Sequence, residues 1–220
     1  MADAGDAPAA PGRRESLVGA ATAVLGRRGY AETSMKEIAR EAGVAPGLLH
    51  YYFASKDELL VAVVGKLDRE LAEAWTAALE SLDDPLERIV AALDATAVQC
   101  RRHPELWRTL IDLSMVSLST PAIQARCRGL RERFADGIEV EVRRALGGLP
   151  AYTVVAPRDL AGALAAAIEG TAMAGLVEGR DVTARFQALK VMVLAVVVTA
   201  YVTAGQTPPV ARLAELLRPR

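Results

Sequence analysis

The densest run of side chains able to do chemistry is Gly47-Leu48-Leu49-His50-Tyr51-Tyr52-Phe53-Ala54-Ser55-Lys56. It combines two phenol hydroxyls, an imidazole, a lysine ammonium and the amides of a helix start. Such groups donate hydrogen bonds to phosphate oxygens on either side of a groove. Leu48 adds an apolar side chain suited to a thymine methyl. The chemistry expected of this run is binding. Elsewhere, Cys100 and His103 lie three apart and Cys127 follows, but no further His or Cys completes a tetrahedral metal set. No Ser-His-Asp order, Gly-rich phosphate loop or paired-carboxylate motif points to an enzyme. We therefore expect no catalytic residue, no metal and no cofactor.

The elements that must position the run are legible around it. Leu17, Ala20, Ala21, Val24 and Leu25 recur at helical spacing, so one stripe of a first helix faces a core, and Gly29 ends it. Ser34 with Glu37 three residues later predicts a capping box opening a second helix, buried through Ile38 and Ala39. Gly43 and Val44 make a short turn. Pro46 suits the first turn of a very short third helix that runs to about Phe53. Ser55 and Glu58 repeat the capping pattern for a fourth helix, continued by Leu59 and Leu60. Two short helices joined by a Gly-containing turn place a recognition helix in the major groove. Arg13, Arg14, Lys36 and Lys56 are the basic residues this layout brings to DNA.

The same segment closely resembles the DNA-binding head of TetR-family transcriptional repressors. Ser34, Ile38, Ala39, Ala42, Gly43, Val44, Gly47, Leu49, Tyr52, Phe53, Lys56 and Leu59 stand at the positions of that family's signature. Ala45 departs from it by replacing the usual Ser cap of the recognition helix, at a cost on the order of 1 kcal/mol. His50 stands where a phosphate-contacting Tyr is usual, and Leu48 where a small or hydroxylated residue is common. Motif and resemblance together predict DNA contacts by Arg14, Ser34, Lys36, Pro46, Gly47, Leu48, His50, Tyr51, Tyr52 and Lys56. For Lys56, at a helix start beside the recognition helix, the expected contact is to phosphate.

Composition bounds the rest. The chain has 220 residues, 52% hydrophobic and only 5% aromatic, with a formal net charge of -1. Strand-like alternation is scarce, so the fold class is all-α: an N-terminal three-helix helix-turn-helix head on a larger helical ligand-binding and dimerisation body. Near-zero net charge argues against a general nucleic-acid binder. Residues 1–12 lack the basic start and apolar core of a secretory signal and read as a disordered arm. The head occupies 13–60 and the body 61–220. Two cysteines without a close pair do not make a disulfide framework. The longest apolar stretch, Val191 to Ala204, is too short for a membrane span, so a cytoplasmic protein without membrane partners is expected.

In the body we predict helices over Ser55–Leu82, Pro85–Arg102, Glu105–Ser117, Pro121–Leu146, Asp159–Gly179 and Val182–Ala204, with a short one over Arg212–Leu217. Gly162, Ala166, Gly170 and Ala174 repeat every four residues, a ridge of small side chains that lets another helix approach closely. In the family resembled, two C-terminal helices of each subunit form a four-helix dimer interface, which puts that ridge, with Val193 and Val197 of the next helix, at a homodimer contact. A hydrophobic or amphipathic effector is expected among Trp75, Thr96, Gln99, Cys100, Trp107, Leu110, Met115 and Met173, with Glu169 available either to a cationic ligand or to a buried or interface salt bridge. The function predicted is a ligand-responsive repressor that binds a pseudo-palindromic operator as a dimer. The alternatives are a redox- or metal-responsive regulator on the same scaffold, and a helical small-molecule-binding protein or enzyme without DNA function.

Overall fold

The structure is a computed structural model that describes residues 12–147, 149 and 155–218. The expected arm lies outside the described residues apart from Gly12, as does most of the segment from Gly148 to Val154. Ten helices follow one another: α1 (Arg13–Arg28), α2 (Met35–Glu41), α3 (Pro46–Tyr52), α4 (Lys56–Leu79), α5 (Pro85–Arg102), α6 (Pro104–Ser117), α7 (Pro121–Leu146), α8 (Pro157–Glu178), α9 (Thr183–Thr203) and α10 (Val210–Leu216). No strand occurs among the described residues, so the all-α expectation holds.

Helix ends fall where the punctuation residues put them. Pro85 opens α5 behind Asp84, whose carboxylate accepts from the Leu86 and Glu87 amides. Pro121 opens α7. The expected Ser34–Glu37 capping box is present at α2, with both reciprocal hydrogen bonds made. Ser55 and Glu58 cap α4 in the same way, through the amides of Glu58 and Ala54. Ala45 offers α3 no side-chain cap, and Pro46 begins that helix uncapped. The predicted fourth helix over-runs the observed one, which ends at Leu79, because its last residues turn toward Asp84.

Two compact units divide the described chain. One holds the residues through Asp68 together with Arg108–Arg128; the other holds Arg69–Trp107 and the residues from Gly129 on. In the first, Leu17, Leu25, Ile38, Leu49, Phe53 and Leu60 are fully buried, each contributing roughly 1.5–3 kcal/mol by leaving water. In the second, α9 packs on α5 and α8. Gly179 takes the left-handed conformation that ends α8. The chain then folds back so tightly that a Cβ at Gly175 would lie 2.3 Å from Val182 Cγ1. Only glycine fits there.

Both α8 and α9 are long and apolar enough to cross a membrane by length and composition, yet only 28% and 33% of their apolar windows are buried in the protomer. The Val191 to Ala204 stretch alone did not show this, because the window that qualifies in α9 is longer. Glu169 of α8 pairs with Arg131 at 2.5 Å, and the buried Lys190 of α9 with Asp94.

Candidate nucleic-acid interface and body clefts

The helix-turn-helix is built by anchoring one face of each short helix. Leu49 and the capping residue Phe53 hold α3 to the core through fully buried side chains, while Ile38 and Ala39 hold α2. The turn between them places Gly43 at φ 65°, a left-handed angle that favours glycine. Buried positions on α3 therefore alternate with presented ones. Pro46, Gly47 and His50 are exposed, Tyr51 is 75% exposed, and Leu48 and Tyr52 are half-buried. Around Gly47 there is open space, so backbone can approach a ligand there. Tyr51 and Tyr52 meet edge to face at 5.3 Å, which stiffens the presented phenols.

The flanking basic residues divide into two groups. Arg13, Arg14 and Lys36 are exposed, and the Arg14 guanidinium lies 4.7 Å above the Phe53 ring, which orients it beside α3. Arg27 and Arg28 are instead paired with Glu41 and Glu37, at 2.6 and 2.5 Å. Ser34 is exposed, but its hydroxyl serves the α2 cap.

Lys56, expected at a phosphate, is engaged within its own unit. Its Nζ donates to the Tyr30 carbonyl at 3.0 Å and sits 3.8 Å over the Tyr30 ring. Burial pushes its pKa below the ordinary lysine value against the opposing charges of Asp57 and Glu37. In this arrangement the ammonium ties the start of α4 to the loop after α1. Tyr30 was not singled out in the sequence, and neither was Asp112 of α6, which accepts from the Tyr30 amide at 3.3 Å. Pairs 26 and 82 residues apart leave no local signal. We predict that Lys56→Ala lowers stability by about 1 kcal/mol, the sum expected of a modest cation–π contact and one hydrogen bond. The salt dependence of DNA binding should keep its wild-type slope. A slope shallower by about 0.9 would return Lys56 to a phosphate.

The predicted pocket residues are divided between the two units, Leu110 and Met115 in the first and the others in the second. Trp75 is used in packing: its Nε1 donates to Thr96 Oγ1 at 3.0 Å, its ring lies 5.2 Å from Phe134, and Gly137 leaves room for it. Thr96 in turn donates to the Ala92 carbonyl. Met115 and Met173 are 60% and 49% exposed, so neither lines an interior. Gln99 and Leu110 are half-buried and line neither of the two clefts found. Glu169 is held by Arg131 rather than left for a cation; burial raises its pKa and the Arg131 charge opposes the rise.

Cys100 and Trp107 do share a cleft of about 400 Å³, with Arg101 at the end of α5, Leu176 of α8, and Arg180 and Asp181 of the α8–α9 turn. Those partners escaped sequence reasoning because they stand at helix ends and in a turn, where apolar periodicity says nothing. A second cleft, about 180 Å³ and apolar, opens between α7, α8 and α9 beside Ala163, Ala167, Met192 and Val193.

Of the residues expected at a dimer contact, Gly162, Ala166 and Gly170 are exposed, and Ala174 and Val193 are half-buried. Open space surrounds both glycines. Val197 is 3% exposed and turned into the protomer, so it is withdrawn from that contact.

Residues 17–63 match the model of "Bacterial regulatory proteins, tetR family". The HTH-type transcriptional regulator BetI of Brucella anthropi is 42% identical over 83 residues, 38% of this chain and 43% of the relative. BetI of Rhizobium meliloti is 43% identical over 83 residues, 38% of this chain and 41% of its own. The chain thus spans under half the length of the curated relatives it matches. Among solved structures, a putative TetR-family transcriptional regulator from Rhodococcus sp. superposes with a TM-score of 0.73 at 19% identity, covering 84% of this chain and 98% of that one. A putative transcriptional regulator from Saccharomonospora viridis in complex with choline gives 0.70 at 22% identity, covering 80% and 92%. At such identities these two structures share the fold.

Proposed function

We propose that this chain, whose residues 17–63 match the model of the tetR family of bacterial regulatory proteins, is a TetR-family transcriptional repressor that binds a pseudo-palindromic operator as a homodimer and is released by a small hydrophobic or amphipathic effector. The observation that carries this reading is the presentation of α3. Leu49 and Phe53 are buried, while Pro46, Gly47, His50 and Tyr51 face outward beside the exposed Arg14 and Lys36. On this reading α3 enters the major groove. Leu48, His50 and Tyr51 reach base edges or phosphates there, and Tyr52, Arg14, Ser34 and Lys36 fix the register on the backbone.

One seven-residue helix makes too few base contacts for operator-level specificity, so two copies read two half-sites about one helical turn apart. The outward small-residue ridge of α8, Gly162-Ala166-Gly170-Ala174, with Val193 of α9 beside it, supports the dimer contact. An effector changes DNA affinity only by binding the two conformations unequally. Helix α4, which has residues in both units, is our proposed lever between them. A protein that reads the chromosome works in the cytoplasm, and a second copy on the apolar faces of α8 and α9 accounts for their exposure without a membrane.

Thiol sensing finds no support at either cysteine. Both are buried, and burial pushes the Cys100 thiol up to about 12, far from the thiolate that reacts.

Selection of bound sequences from a random double-stranded DNA pool at moderate salt tests the reading. An enriched pseudo-palindrome is expected. Absence of enrichment, with the protein folded and dimeric and the selection repeated with candidate co-ligands, would rule it out.

A further inference from the structure

We propose that the cleft at the α8–α9 turn binds a small organic carboxylate with a short acyl or aryl body, its apolar part against Trp107, Leu176 and Val182 and its carboxylate at Arg180 and Arg101. The inference rests on the proposed function only in taking this ligand as the effector; the site itself stands on its own geometry. At about 400 Å³ the cleft lies within the roughly 300–1,000 Å³ of small-molecule sites.

Its floor is apolar and its rim charged. Trp107 is 3% exposed, and its buried Nε1 has no hydrogen-bond partner among the described residues. A buried donor left without an acceptor loses its hydration without replacement, so such groups need an explanation. A ligand carrying acceptor oxygens supplies one.

The rim selects the sign of the ligand's charge. Asp181 is already engaged: its carboxylate accepts from the Thr183 amide at 2.6 Å, and the Thr183 hydrogen bonds, helped by the charge of Arg101, hold it below the usual carboxylate range. Arg101 keeps its position by donating to Thr183 Oγ1 at 2.8 Å. The Arg180 guanidinium makes no ion pair among the described residues and stands exposed at the mouth. Two guanidinium groups against one occupied carboxylate leave an excess positive charge, and guanidinium matches carboxylate geometry through paired hydrogen bonds. A quaternary ammonium would face those same cations with a single aromatic wall, where cation recognition uses an aromatic cage.

The test is calorimetric titration of the full chain with hexanoate and with phenylacetate, against hexanamide, phenylacetamide and choline. We expect the acids to bind and the amides to bind at least about tenfold more weakly, the difference a charged hydrogen bond makes. Arg180→Ala, at an exposed turn position, should weaken the acids about tenfold and leave the amides unchanged. Trp107→Phe keeps an aromatic side chain, though a smaller one, and removes the donor, and should weaken the acids several-fold. Equal binding of acid and amide, binding of choline in their place, wild-type acid affinity in Arg180→Ala, or no acid binding at millimolar concentration would each overturn the proposal. The titration contains no DNA. Failure of acid binding therefore leaves the operator reading standing, and failure of the operator selection leaves the cleft's ligand class standing.

Discussion

Ala166→Trp is expected to leave a monomer of 23.3 kDa in place of the proposed homodimer and to weaken binding to the proposed operator by about 10²–10⁴-fold, the advantage lost when two linked half-site contacts become one. Ala166 lies on the outward ridge of α8, exposed between Gly162 and Gly170, and a Cβ on either glycine would meet nothing within 4 Å beyond its own helix among the described residues. Ala166 is exposed, so an indole there should leave the thermal stability of the isolated protomer little changed. Against a second copy it removes the close helix approach that small residues permit. Gly170→Ala adds one methyl and serves as the mild comparison, retaining the dimer. A wild-type mass for Ala166→Trp by light scattering would move the contact off this face of α8.

The second large effect is on stability. Arg88 makes a two-pronged ion pair with Glu141, Nε and Nη2 each 2.8 Å from a carboxylate oxygen, and its Nη1 also donates to the Leu79 and Leu82 carbonyls at 2.7 and 2.8 Å. One side chain thus closes the end of α4, α5 and α7 together. Glu141 is 6% exposed, so Arg88→Ala strands a buried carboxylate with only Arg144 beside it. The expected loss is about 3–5 kcal/mol, a fall in melting temperature of roughly 6–20 °C for a chain of this size. Arg88→Met combined with Glu141→Leu should recover much of it, because the stranded charge goes too. A melting temperature for Arg88→Ala within a degree or two of wild type would refute the assignment.

The same pair carries a pH dependence. Burial alone would raise the pKa of Glu141, but the hydrogen bonds and charge of Arg88, with Arg144, bring it below the ordinary value of 4.5. A carboxylate depressed by folding contributes stability that is fully present above its unfolded value and is lost as pH falls through the folded one. Acid unfolding of the wild type should therefore steepen below about pH 4.5, and the double replacement should flatten that slope.

Much of this molecule is legible in its sequence because its helices are bounded by residues with a single conformational use. Asp84-Pro85, Thr120-Pro121 and the Ser34–Glu37 pair mark starts, and Gly29 and Gly179 mark ends, whatever packs against them. The anchored and presented faces of α3 follow from the same local rules. Side-chain direction is another matter. Lys56 sits where spacing puts it, but a partner 26 residues upstream decides where its ammonium points. Trp75 and Thr96 lie on facing helices as expected and are consumed by each other. Val197 belongs to a helix apolar all round, whose sequence gives no sign of which valines face inward. The cleft of Arg101, Arg180 and Trp107 closes across some eighty residues, from helix ends that periodicity does not weigh.

The pairing of Arg27 with Glu41 and Arg28 with Glu37 has a consequence for partitioning along a chromosome. Nonspecific affinity for duplex DNA comes from cations that displace condensed counterions, and it grows steeply with their number. Two arginines of the proposed reading head are neutralised locally, and Lys56 is turned onto Tyr30. On the proposed reading, bulk sequence then meets fewer free cations of the head, and operator occupancy rests more on base-edge contacts than on charge. A regulator so built can be present in small numbers and still fill its site, since the pool lost to the competing millions of base pairs stays small.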